Sequence, residues 1–308
     1  MLIADDVQVF ERGWLSSTNV LCHGPEPALI DSGHVKHADQ TVALVQQALG
    51  QQPLARIAHT HLHSDHCGGT GALQAAWPTV ATWVPAASLA DVQQWDEQAL
   101  SFGATGQRCA RFHAEHALRP GDTVRLGRHD WQVHAAPGHD ALAVLLFAPA
   151  ARVLIAGDAL WEHGVGVIFP VIDGSDRFET FGRTLELIER LQPDWLVPGH
   201  GRAIARADGG IDRALQQAHR RIAQFSAHPL QHALYAAKVM IKYQLLDVEA
   251  MPIAAFNAWI DNAPLLHQLH QQYWPQVPWS AWVEDMLAPM LDKGVLRRDA
   301  MHVRDGAG

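Results

Sequence analysis

The sequence predicts an α+β protein, with layered β-sheets covered by helices over residues 1–209 and a mainly helical extension over 210–308. Three observations carry this expectation. Short β-rich runs bounded by Gly and Pro recur through the first part of the chain. They come in groups between helical stretches, which fits stacked sheets better than a single βαβ winding. Beyond Gly209-Gly210 the pattern turns to helices with Pro at several boundaries.

In chain order, residues 7–10, 18–22 and 28–31 read as strands separated by turns, 39–49 as an amphipathic helix and 57–59 as a short buried strand. The loop THLHSDHCGG follows, then a helical run at 71–77 and an extended one at 79–84. Residues 86–116 are mixed, with a helical pattern near 89–100. Strands return at 123–126, 131–136, 142–148 and 153–156, followed by a helix at 178–191 and a strand at 195–197 that ends in PGHG. The extension carries helices at 211–225, 231–245, 253–260 and 280–291 and ends in a short β-hairpin, a pattern compatible with a small winged-helix-like unit.

The bulk numbers narrow the class. The chain has 308 residues and a formal net charge of −9, a poor basis for nucleic-acid binding, which relies on Lys and Arg. Residues 210–308 hold nine Lys/Arg and nine Asp/Glu, so the acidic excess lies before them. Three cysteines do not make a disulfide framework. The opening MLIADDVQVF lacks the basic and apolar regions of a secretory leader, and no run is long enough to span a membrane, so the cytoplasm is the expected location. Histidine is the outlier: 20 residues, roughly three times an ordinary share.

The chemistry concentrates in His61-Leu62-His63-Ser64-Asp65-His66, four potential ligands within six residues directly after an apolar strand. In an extended segment residues two apart face the same side, so His61 and His63 can converge on one ion. Gly68-Gly69 then lets the backbone turn sharply. Three further polar residues, His139, Asp158 and His200, each follow a Gly at the exit of an apolar run, where functional groups collect on rigid scaffolds. A lone histidine at a strand end is more often structural, but the whole spaced set is hard to explain that way. Cys67, beside His66, reads as a small buried residue.

These positions resemble the metallo-β-lactamase-fold hydrolases. The matching pieces are Asp31 in ALIDSG, THLHSDHCGG at 60–69, PGHD at 137–140, AGD at 156–158 and PGHG at 198–201, within residues 7–205. The resemblance implies a four-layer αββα sandwich with metals at one edge. It implies that His61, His63 and His139 bind one divalent metal, that Asp65, His66 and His200 bind a second, and that Asp158 bridges them. Asp31 would orient a ligand loop. It further implies hydrolysis of a small ester, thioester or lactone by a metal-bridging hydroxide, with Asp65 and Asp158 as the catalytic carboxylates. Zinc suits this donor set best, with iron or manganese as alternatives. His63, where diiron flavoprotein relatives carry Glu, favours hydrolysis, and Asp158, where the commonest zinc β-lactamases carry Cys, argues against β-lactamase activity. Asp140 departs from the Thr or Ser often found after the Gly-His corner.

Trp14, Trp161 and Phe169 are the expected substrate-pocket residues, against the alternative that they pack the core. Residues 86–116 could form a lid, with Trp95 and Phe102 facing the substrate or holding the segment down. The expected partner is a small molecule and not a membrane, with nucleic acid disfavoured by the charge but left open. The tail's Trp259, Tyr273, Trp274, Trp279 and Trp282 could form a helical core or a homodimer surface. Two competing functions are an endoribonuclease or phosphodiesterase that uses the tail to bind nucleic acid, and a sulfur dioxygenase with one iron.

Overall fold

The structure, a computed structural model, describes residues 1–4, 6–173 and 177–306. Two mixed sheets stack face to face. The first runs in chain order as β1 (Leu2–Ala4), β2 (Val7–Phe10), β3 (Asn19–Cys22), β4 (Ala28–Ile30), β5 (Arg56–Ala58), β6 (Ala81–Pro85) and β7 (His116–Leu118). Its first four strands form an antiparallel meander, and β4 to β7 are parallel. The second contains β8 (Thr123–Leu126), β9 (His129–Ala135), β10 (Val144–Ala148), β11 (Val153–Gly157), β12 (Trp195–Pro198) and β13 (Ile204–Ala205), in the spatial order β13-β12-β11-β10-β9-β8.

Alternation along the strands decides the stacking. Val7 and Val9 of β2, with Val20 and Ile30, meet Trp131, Val133, Leu146 and Ile155 between the two sheets. Each such side chain, fully buried, stabilises the stack by about 1.5–3 kcal/mol before entropy is charged against it. The outer face of the first sheet offers Leu21, Leu29 and Ile57 to α1 (Ala38–Leu49) and α3 (Thr70–Ala76), the latter preceded by the one-turn α2 (Ser64–Cys67). On the outer face of the second sheet, Leu145, Phe147, Leu154 and Leu196 are covered by helices described below, which completes the expected αββα layering.

Between β6 and β7 the predicted helix over 89–100 is helical only as α4 (Leu89–Gln94), its second half is a turn, and a separate short helix α5 (Phe102–Thr105) follows beyond the predicted range. Trp95 takes a left-handed φ of 56° and ends α4, a conformation rare for a bulky residue. Trp95, Phe102 and Phe112 pack on one another beneath this segment, which settles their alternatives in favour of packing. The strand read from 142 begins at Val144, because Leu142 belongs to a turn held by Asp140 Oδ1.

After α6 (Pro170–Asp173) and α7 (Arg177–Leu191), the chain passes Gly209 into α8 (Gly210–Ala227). Phe181, Leu185 and Ile188 of α7 and Ile211, Leu215 and Ile222 of α8 share the outer core of the second sheet. α8 is therefore packed as part of the sandwich, although composition changes at its start. A separate apolar cluster begins with α9 (Pro229–Val248) and takes in α10 (Ile253–Asn262), α11 (Pro264–Tyr273) and α12 (Trp279–Asp292). Here β14 (Ala250–Pro252) joins the hairpin β15 (Leu296–Arg298) and β16 (His302–Asp305) in the antiparallel order β14-β16-β15. Trp282 is buried in this cluster, and Trp259, Tyr273, Trp274 and Trp279 pack against it. Among the described residues no helix is long and apolar enough to cross a membrane.

Candidate metal centre

The strands β4, β5, β9, β11 and β12 all deliver their carboxyl ends to one edge of the sandwich, and the polar residues singled out in the sequence sit just past those ends. Backbone hydrogen bonds tie the loops together there: Ser17 N to Asp65 O at 2.9 Å, Ser32 N to His66 O at 2.6 Å and Thr18 N to Gly199 O at 2.6 Å. Glycine is required at close approaches. A Cβ on Gly166 would lie 2.5 Å from the His139 ring, and one on Gly199 would collide with Asp158 Oδ1.

His61, His63 and His139 bring one donor atom each to within 4.8 Å of one another, and so do Asp65, His66 and His200. A third group, His61, His66 and Asp158, overlaps both. Asp158 lies between them: Oδ2 is 3.4 Å from His139 Nε2, while Oδ1 is 3.3 Å from His66 Nε2 and 3.8 Å from His200 Nε2. All seven predicted residues are thus brought together.

The outer ring atoms decide which nitrogens face the centre. His139 Nδ1 lies 2.5 Å from the Val167 carbonyl and His66 Nδ1 2.8 Å from Asp31 Oδ2, so each leaves Nε2 for the interior. Asp31 is buried and also accepts from Thr60 N at 2.9 Å and Thr60 Oγ1 at 2.8 Å, locking the start of the His61 loop. Asp140 Oδ2 is 3.8 Å from His63 Nε2, so this departure from the family pattern borders the centre.

The donor chemistry fits divalent cations. His66 Nε2 is fully buried and makes no hydrogen bond, although Asp158 Oδ1 lies 3.3 Å away. His63 Nδ1 faces two other imidazole nitrogens, His139 Nε2 at 2.8 Å and His61 Nε2 at 3.1 Å. Buried nitrogens converging on one another need a cation or a proton between them. Burial, reinforced by neighbouring histidines, holds His61 well below its usual pKa and brings His63 down to about 4. Burial opposes ionisation of Asp158 and Asp65, yet the surrounding histidines outweigh it and hold both carboxyls below their ordinary range. Neutral imidazoles with charged carboxylates are the protonation states a metal site requires. Burial also opposes charge on His66, but Asp158 and Asp31 raise its pKa well above normal, so a cation would displace a proton there.

Beside the centre opens a cavity of about 700 Å³. Trp14, largely exposed, stacks on the His200 ring with centroids 5.8 Å apart. Trp161 packs edge-on against both rings and donates its indole N–H to Asp158 Oδ1 at 3.1 Å. Phe169 lines the cavity and belongs to the apolar cluster of the extension. Sequence reasoning missed the contribution of α9. Tyr243 hydroxyl lies 2.7 Å from Ser64 Oγ, next to Asp65, and Tyr235, Val239, Met240 and Leu246 line the same wall. Their helical spacing was visible, but nothing local indicated what that face would meet. Gln107, equally unanticipated, accepts from Ser64 N at 2.7 Å. Cys67 is fully buried, with its sulfur 3.7 Å from that of Cys109.

Comparison with known proteins agrees with this geometry. The acyl-coenzyme A thioesterase MBLAC2 of Homo sapiens is 26% identical over 159 residues, 49% of this chain and 57% of that protein. The hydroxyacylglutathione hydrolase of Bdellovibrio bacteriovorus is 30% identical over 146 residues, 47% of each chain. The chain thus spans about half the length of these curated relatives. A solved metallo-β-lactamase family protein from Thermus thermophilus superposes over 97% of both chains with a TM-score of 0.53 and 19% identity. The family profile described as the metallo-beta-lactamase superfamily matches residues 12–200, the span that carries all seven donors, and the chain belongs to that superfamily.

Proposed function

We propose that the chain is a binuclear metal-dependent hydrolase acting on an ester, thioester or lactone. Its metal ligands would be His61, His63 and His139 on one side, Asp65, His66 and His200 on the other, and Asp158 between them. The observation that carries this reading is the split of Asp158, whose two oxygens face the two donor groups separately. Two divalent cations, zinc foremost, would supply Lewis-acid polarisation and a water of lowered pKa.

The chain's own residues do the rest. Asp65 Oδ2, 3.0 Å from His200 Nε2, is the carboxylate placed to accept a proton from an attacking water. Asp31 holds His66 in one tautomer, and Trp161 holds Asp158. Trp14 and Trp161 shield the His200 side from solvent. The water oxygen joins the acyl carbon, the carbon–sulfur or carbon–oxygen bond breaks, and the leaving group departs with the proton.

The test is metal analysis of purified protein together with thioester, ester, lactone, phosphodiester and RNA assays. We expect two divalent metals per chain, and in Asp65→Ala loss of one metal with a rate reduced at least ~100-fold, as loss of proton-transfer catalysis implies. A fully active Asp65→Ala protein would overturn the reading, as would one iron per chain with sulfur oxidation. Salt-sensitive RNA cleavage would favour the nuclease instead.

A further inference from the structure

The cavity beside the donor groups is lined by two kinds of side chain. His63, Asp65, His139, Asp158 and His200, which cluster with one another, supply the donor atoms. The same cavity is also lined by the apolar side chains of Val239, Met240 and Leu246 of α9, of Phe169, and of Leu100 and Ala104 from the segment between β6 and β7. Many polar side chains in the wall are already engaged. Thr105 Oγ1 donates to Ser101 O at 2.7 Å, Gln107 Oε1 accepts from Ser64 N, Tyr243 pairs with Ser64, and Lys242 pairs with Asp305. Against Val239, Met240, Leu246 and Phe169 a sugar or peptide would leave polar groups unpaired, at a cost that an alkyl chain avoids. The cavity size is ample for a ligand of small-molecule dimensions.

Resting on the hydrolase reading, we propose that the substrate is an ester or thioester of an apolar acyl chain, with its carbonyl at the donor groups and its chain against α9 and residues 98–105. The extension is then the element that sets chain-length selectivity. The scissile bond stays at the strand ends of the sandwich, while α9 measures what is attached to it. Hydrolysis yields a fatty carboxylate and a free thiol or alcohol, so the carboxylate series is itself a probe of the pocket.

The experiment titrates butyrate, octanoate and dodecanoate into the full-length protein by calorimetry and, in parallel, measures kcat/KM on thioesters of the same chain lengths. Each methylene that enters the pocket is expected to tighten binding about fourfold, until the cavity is full. Val239→Trp and Ala104→Trp, on two different helices that line the cavity, are expected to lower the dodecanoate-to-butyrate affinity ratio at least tenfold. Two variants guard against one failing to fold. Affinity that does not change with chain length, or two folded Trp variants that keep the full ratio, would overturn the pocket assignment. Chain-length-dependent binding without hydrolysis by the metal-loaded protein would overturn the hydrolase reading and uphold the pocket. Hydrolysis at equal efficiency across the series would do the reverse.

Discussion

Asp31 illustrates how a residue outside the donor set can govern it. It is buried at a φ of 55°, and burial opposes its ionisation, but the charge and hydrogen bonds of His66 and His59 hold its pKa below the usual range. Asn tolerates the left-handed conformation, so Asp31→Asn tests the charge and the acceptor geometry without backbone strain. We expect metal affinity to fall about 10–100-fold, as for other residues that support a ligand histidine, read by competition with a chromophoric chelator. Unchanged affinity would mean that Asp31 serves only the fold. The seven donors were legible in the sequence because each is announced locally, either by the His61–His66 cluster or by a Gly-His or Gly-Asp corner after an apolar strand. Tyr243 was not, since its partner Ser64 is 179 residues away and no local pattern encodes that meeting.

The same contrast holds for whole elements. Strands and helices with a buried face of several residues were readable, as α7, α8 and β10 show. The three-residue strands β1, β7 and β14 were not, because they are defined by pairing with a neighbour rather than by their own periodicity. α9 was foreseen as a helix, but its role depends on what it packs against. Near its start, His232 is buried among Phe178 and Phe225 with its Nε2 unpartnered, and burial brings its pKa down to about 4. The unfolded chain therefore binds a proton between about pH 6.5 and 4 that the folded chain excludes, so stability is lost as pH falls through that window. The loss is on the order of 2 kcal/mol. His232→Phe should flatten this dependence, which urea melts at pH 7 and pH 4.5 will read; an unchanged slope would place the acid lability elsewhere.

At the scale of the whole molecule, the sandwich and the extension meet where the substrate would lie, and a buried carboxylate ties them together. Asp247, near the end of α9, receives a two-pronged contact from Arg108, with Nε to Oδ2 at 2.7 Å, and lies 3.9 Å from His34 Nε2. Lys36 donates to the Asp247 carbonyl at 2.9 Å and to Glu249 at 2.6 Å. These contacts join α9 to the 34–37 turn of the sandwich and to the segment that carries Gln107, so both walls of the cavity share one anchor. Removing the carboxylate in Asp247→Ala should leave the donor cluster intact, because none of the seven donors contacts it in these pairings. Global stability should fall by only about 1 kcal/mol, since Arg108 is largely exposed and regains water. The larger effect should be local. α9 should open more often, so trypsin should cut the extension faster at Lys238 or Lys242, and long-chain thioesters should lose more kcat/KM than short ones. Equal losses at every chain length, with unchanged proteolysis, would show that α9 is held by its apolar cluster alone and that Asp247 contributes nothing to the shape of the cavity.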